Sequence, residues 1–150
     1  ELALRCRNGE HIVIICGNNA KIERILRKEF HFNKRVHIIG YTNHVSLFMD
    51  ACDFIYTKPG GLTSTESLVK NIPIVHTAPI PGCETSNLHF FGARHLSVSS
   101  KHLAKQVQLG KALIENDSLR EQMSEAQRRE RKPEAAMQIV SLLEQLVSHE

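Results

Sequence analysis

Thr57-Lys-Pro-Gly-Gly-Leu-Thr-Ser-Thr-Glu66 decides how this chain is read. It follows a short apolar run, Asp53-Phe-Ile-Tyr-Thr57, that reads as a buried strand, and it precedes Ser67-Leu-Val-Lys-Asn71, the body of a short helix. A strand, a Pro-Gly-Gly turn and a helix start form an anion-binding corner. The turn lets a ligand approach the backbone, and the helix start presents unpaired N–H groups at the positive end of the dipole. Gly60, Gly61, Leu62 and Thr63 are the residues whose N–H groups would face a phosphate, with the Thr63 hydroxyl as an added donor. Lys58 would add a charge at the strand end. The competing reading is a tight turn whose glycines serve geometry alone. Glu66 also carries two readings. Thr63-x-x-Glu66 matches a capping box that only ties off the helix. A carboxylate one turn into a phosphate-binding helix can instead take the hydroxyls of a ribose.

Working outward, short apolar runs alternate with helical periodicity. His11-Ile-Val-Ile-Ile-Cys16 is a β-branched run of the kind covered on both faces, and Gly17-Asn-Asn19 breaks it and caps a helix carrying Ile22, Ile25, Leu26 and Phe30. Val36–Gly40 is the next strand and Tyr41-Thr-Asn43 a polar turn. His44 to Ala51 comes next as a helix with Val45, Leu47, Phe48 and Ala51 available to the core. Pro73–Ala78 is another strand, and Pro79-Ile-Pro-Gly-Cys-Glu-Thr-Ser86 reads as an irregular loop because of its prolines and glycine. Asn87–Gly92 is a short helix and His95–Val98 a last short strand. From Ser99 the pattern is helical, ending in a helix after Pro133 whose apolar face is Ile139, Val140, Leu142, Leu143, Leu146 and Val147. The fold class is therefore α/β, a Rossmann-like open parallel sheet with helices on both faces and a helical C-terminus. In such sheets ligands bind beyond the carboxyl ends of the strands, where the loops Gly17–Asn19, Gly40–Asn43, Lys58–Thr63 and Pro79–Asn87 all fall.

The 150 residues suit one domain with a real core, and a formal charge of +3 is too slight to argue for nucleic acid. Cys6, Cys16, Cys52 and Cys83 form no Cys-x-x-Cys pair, and Cys16 and Cys52 read as small buried hydrophobes, a pattern that fits a reducing cytosol. The nine histidines give no His-x-x-x-His pair on a helix, so none is assigned to metal, and His76 reads as structural. The corner is neither a P-loop nor a Gly-x-Gly-x-x-Gly fingerprint. No run is long enough for a membrane span. Glu1–Arg7 reads as the tail of a helix capped by Asn8-Gly9, as expected of a piece of a longer protein.

Cys16-Gly-Asn-Asn19, Gly40-Tyr41, Ala51-Cys-Asp53, Thr57-Lys-Pro-Gly-Gly-Leu-Thr63 with Glu66, and Pro79-Ile-Pro-Gly82 with Glu84 and Asn87 carry a resemblance in this order and spacing. From about Ile12 to Val98 the chain resembles the C-terminal, donor-binding half of GT-B glycosyltransferases. Nearest in pattern are the processive diacylglycerol glucosyltransferases and monogalactosyldiacylglycerol synthases; the lipid II N-acetylglucosaminyltransferase is a more distant match. The resemblance implies one nucleotide-sugar-binding domain over 1–150, with 99–150 as its C-terminal helices and the domain's first strand missing. It implies that Gly60, Gly61, Leu62 and Thr63 hold the diphosphate of a UDP-sugar, that Glu66 holds the ribose, and that the backbone around Tyr41 and Thr42 reads the uracil edge. Glu84 and Asn87 would face the sugar or phosphates. The family usually has glutamine where this chain has Cys83, and a thiol cannot donate two amide hydrogen bonds to sugar hydroxyls.

For activity, the resemblance implies an inverting transfer of a hexose to diacylglycerol with no cofactor or bound metal. The catalytic base would lie in an absent N-terminal domain, so the fragment alone would be inactive. Expected partners are the UDP-sugar, a lipid acceptor and an anionic membrane surface, at the cytoplasmic face of the plasma membrane. The alternatives are a glycosyltransferase with an isoprenoid-linked or small-molecule acceptor, and a non-catalytic α/β binding module.

Overall fold

The structure, a computed structural model, describes residues 9–148. The helix end expected over Glu1–Arg7 lies outside them. The chain divides into two compact units, one running to Cys52 and the other from Asp53.

The first unit is built on two parallel strands, β1 (Ile12–Ile15) and β2 (Val36–Ile39), paired Ile12 to Val36 through Ile15 to Ile39. Helix α1 (Ala20–Glu29) starts where Asn19 predicts, the Asn19 Oδ1 accepting from the Ile22 N–H at 3.1 Å. Leu26 and Phe30 of this helix region pack on Val36 and Ile38, with Ile12 and Ile14 beside them. The expectation that β1 is covered on both faces does not hold in this unit. Val13 and Ile15 alternate outward and are 44% and 38% exposed, so the run obeys the two-residue period of a half-buried strand. Ile22 and Ile25 are likewise half-exposed. In α2 (Val45–Ala51) the buried residue is Met49, whereas Leu47 and Ala51 face solvent. Cys16 and Cys52 are only half-buried.

The second unit holds three parallel strands in the order β3 (Ile55–Thr57), β4 (Ile74–His76), β5 (Val98–Ser99). Central β4 is buried on both faces, Ile74, Val75 and His76 alike. Ile74 packs with Leu68, Phe91 and Leu96, and Val75 with Leu113 and Met123. Burying a side chain of this size contributes about 1.5–3 kcal/mol, so β4 anchors the unit. Helices α3 (Gly61–Lys70), α4 (Cys83–Ala93), α5 (Leu103–Glu115), α6 (Asp117–Glu130) and α7 (Ala135–Val147) complete it. Buried Gln127 on α6 ties two distant loops together, its Nε2 donating to the Ile72 and Leu96 carbonyls, each at 2.9 Å.

Two expectations are corrected in this unit. The segment read as an irregular loop up to Ser86 turns helical at Cys83, four residues before the expected start at Asn87. Gly82, at φ 117° and ψ −133°, reverses the chain and α4 begins immediately after it. Proline and glycine end the loop here instead of extending it. The last strand is Val98–Ser99 and not His95–Val98, because His95 takes a left-handed conformation, φ 58°, that no strand continues. The apolar face of α7 is present but uncovered, with Ile139, Val140, Leu142, Leu143 and Leu146 between 47% and 61% exposed.

Candidate functional site

The glycine corner forms as the sequence implies. After β3, Pro59 is buried and the Gly60 N–H closes a three-residue turn on the Lys58 carbonyl at 2.7 Å. Gly60 is the N-cap of α3, with extended backbone at φ −74°, ψ 148°. Its own N–H is therefore engaged, and the free amides are those of Gly61, Leu62 and Thr63, the first turn of the helix. Ser64 is the first residue whose N–H reaches back, to the Gly60 carbonyl at 3.3 Å. Neither Gly60 nor Gly61 is needed for an unusual φ. A Cβ built on either meets nothing within 4 Å, so the missing side chains leave open space over the free amides. Three N–H groups at a helix start, beside two glycines whose Cβ positions are open, suit a phosphate.

The same cap excludes the capping-box reading of Glu66. With Gly60 as N-cap, Thr63 is the third helical residue and no Thr63–Glu66 capping box exists. Glu66 sits one turn along α3, exposed, and makes no hydrogen bond or ion pair among the described residues. A carboxylate held on a rigid helix without a protein partner is available to hydroxyls of a ligand.

The corner is braced from α4. Lys58 Nζ lies 2.6 Å from Glu84 Oε1, and Glu84 Oε2 accepts from the Ile80 N–H at 2.8 Å. The hydrogen bond from Lys58, joined by the Ile80 N–H, holds the buried Glu84 carboxyl below its ordinary range, although burial opposes this. The Lys58 charge is thus already matched, and the helix-start amides are what the corner offers to an anion. Asn87, one turn on, donates from Nδ2 to the Pro59 carbonyl at 3.0 Å. Glu84 and Asn87 lie on α4 and not in a loop, and each holds one residue of the corner. Cys83 is exposed at the first position of α4.

Beneath the corner, Ser64 Oγ and His76 Nε2 are 3.0 Å apart, and both residues are fully buried. This links the first turn of α3 to the end of β4. The His76 ring stands edge-on to Phe91 at 5.2 Å, and its Nδ1 is buried without a hydrogen-bond partner. Burial pushes its pKa down to about 4, so the ring is neutral at physiological pH. The structural reading of His76 holds; Ser64, its partner, carried no signal in the sequence.

In the second unit the corner and the Pro79–Gly82 loop come after parallel neighbours β3 and β4, so both lie at carboxyl ends of strands. In the first unit, Gly17–Asn19 and Gly40–Asn43 do the same after β1 and β2. There Tyr41 is 69% exposed, and the Thr42 hydroxyl accepts from the His44 N–H at 3.0 Å.

No family model matches the chain. Among curated proteins it is similar to the processive diacylglycerol β-glucosyltransferase of Staphylococcus carnosus, 34% identical over 114 residues, 76% of this chain and 29% of that protein. It is also 39% identical over 83 residues to the Staphylococcus epidermidis protein of the same name, 55% of this chain and 21% of that one. The chain is a relative of these glucosyltransferases, within the glycosyltransferases. It spans about a quarter of the length of the curated relatives it matches. Solved structures share its fold at low identity. The glycosyltransferase WaaG, involved in lipopolysaccharide biosynthesis, matches with a TM-score of 0.60 at 18% identity over 79% of this chain and 33% of its own. A UDP-N-acetylglucosamine 2-epimerase matches at 0.64 and 18%, over 95% of this chain and 45% of its own. Anabaena Alr3699/HepE, solved in complex with UDP-glucose, matches at 0.59 and 16%, over 95% and 43%. The architecture is that of GT-B C-terminal domains, short parallel strands in open sheets with helices around them and a helical C-terminus.

Proposed function

We propose that this chain is the UDP-sugar-binding part of a hexosyltransferase that glycosylates diacylglycerol with inversion. One observation carries the reading: an unobstructed set of three helix-start amides, Gly61, Leu62 and Thr63, one turn from an unpartnered Glu66. The amides take the diphosphate and Glu66 the ribose. Developing negative charge on the leaving diphosphate meets amide dipoles that are already oriented, so the transfer needs no bound metal. Relatives named for diacylglycerol glucosylation support the acceptor, and a neighbour solved with UDP-glucose supports the donor.

Tyr41 and Thr42 keep their assignment to the uracil edge on the resemblance, and Lys58, Glu84 and Asn87 hold the corner in shape. Cys83 stands where the sugar is read, so donor choice turns on it. The acceptor site and catalytic base belong to sequence outside these 150 residues, and the chain alone binds donor without turnover. Among the described residues no helix is long and apolar enough to cross a membrane. We place the whole protein at the inner face of the plasma membrane, where its acceptor resides; failure of the full-length protein to sediment with anionic liposomes would count against this.

Calorimetric titration of the chain, and of the full-length protein, with UDP, UDP-glucose, UDP-galactose and UDP-N-acetylglucosamine tests the donor site. Binding of UDP with a preference among the sugars is expected, and no binding of any of the four would sink the reading.

A further inference from the structure

We propose that His11 and His37 form a two-histidine site for a borderline transition-metal ion such as Zn2+ or Cu2+, separate from the glycine corner. The two residues are 26 positions apart and no sequence spacing joins them. The parallel ladder of β1 and β2 does so, because His11 immediately precedes β1 and His37 is the second residue of β2, opposite Val13. Both are exposed, on the side of the two-stranded sheet turned away from Val36 and Ile38.

The geometry suits chelation. His11 Nδ1 and His37 Nε2 are 3.0 Å apart, and the rings are stacked at 5.3 Å with planes 21° apart. For metal–nitrogen bonds of about 2.05 Å, two cis ligands are about 2.9 Å apart at a right angle and about 3.4 Å apart at a tetrahedral angle. The observed separation lies between these values, within the reach of two ligands on one ion. In the metal-free pair one ring donates to the other. Binding moves that proton to the far nitrogen of its ring, leaving His11 Nε2 and His37 Nδ1 protonated and both inner lone pairs on the ion. Two neutral imidazoles favour Zn2+, Cu2+ or Ni2+ over the hard cations Mg2+ and Ca2+. No group of three or more His, Cys, Asp or Glu side chains able to hold a metal occurs among the described residues. The remaining coordination positions therefore belong to water or an added ligand.

The test is titration calorimetry of the full chain with Zn2+ and with Cu2+, repeated on His11→Ala and His37→Ala, with circular dichroism to confirm that these exposed changes leave the fold intact. The expected result is one ion per chain whose affinity falls about 10–100-fold in both variants, at least the change that loss of an outer-sphere partner causes. Unaltered binding in either variant, which would assign the ion to other histidines or to cysteines, overturns the proposal, as does absence of binding in the parent chain.

Discussion

His76 should make this protein acid-sensitive in a measurable window. Its imidazole has an ordinary pKa of 6.5 in the unfolded chain and about 4 when folded, because burial disfavours the cation. Between those values the unfolded chain binds a proton that the folded chain refuses. Stability is thus intact above about pH 6.5 and falls as pH drops to about 4, by about 3 kcal/mol in all. Between pH 7 and pH 4.5 the loss comes to about 2–2.5 kcal/mol. Depressed carboxylates such as Glu84 add their own acid sensitivity, in the same direction, as pH falls through the carboxylate range. A difference measurement removes them. The variant Ser64→Ala/His76→Leu deletes the buried pair without leaving half of it unpaired. Urea denaturation followed by far-ultraviolet circular dichroism at pH 7 and pH 4.5 would then give two stability differences. The variant should gain about 2–2.5 kcal/mol on the parent chain between the two pH values. Parallel pH dependences would refute the assignment of a buried, neutral His76.

Four further outcomes are expected. Gly61→Ala, at a position with an ordinary backbone and open space around the new methyl, should leave the fold unchanged or up to about 1 kcal/mol more stable while weakening UDP in calorimetry; unchanged affinity would remove the open cradle as the binding feature. Glu66→Ala should change stability by no more than about 0.5 kcal/mol, since the side chain is exposed and unpartnered, yet lower UDP affinity relative to inorganic diphosphate; equal loss for both ligands would argue against a ribose contact. Gly82→Ala should cost about 1–3 kcal/mol in chemical denaturation, because φ 117° is strained for any residue with a Cβ. Gln127→Ala should cost at least about 1–3 kcal/mol by the same assay, having stripped two buried carbonyls of their donor.

The parts of the fold legible in the sequence were those with local causes. Asn19 caps α1 through a bond three residues away, and β4 is a short strand opened by Ile74 and Val75 and buried on both sides. The Pro-Gly-Gly turn placed the corner, and the ordinary backbone at Gly60 with open space beside both glycines means that neither strain nor crowding demands a glycine there. The start of α4 was hidden because Gly82 is at once the end of a loop and the first cap of a helix, and residue type alone reports only the first role. His95 concealed the true start of a strand in the same way, since nothing in a histidine announces a left-handed backbone. Which face of β1 is covered depends on what packs there, and a β-branched run is compatible with either arrangement. Pairs closed by topology left no trace: Ser64 with His76, Lys58 with Glu84, Asn87 with the Pro59 carbonyl, and Gln127 with Ile72 and Leu96.

The Gln127 link has a consequence for how the chain is made. Its carbonyl partners precede it by 55 and 31 residues, Ile72 just before β4 and Leu96 just before β5. A nascent chain leaving the ribosome therefore completes every residue of the corner well before it gains the side chain that fastens the loops leading into β4 and β5. At about 5–20 residues per second, and with loop closure over such separations to be met first, the corner spends several seconds without its fastening. Truncation between Asn87 and the start of α6 would leave the corner's sequence whole but the loops leading into β4 and β5 without this link.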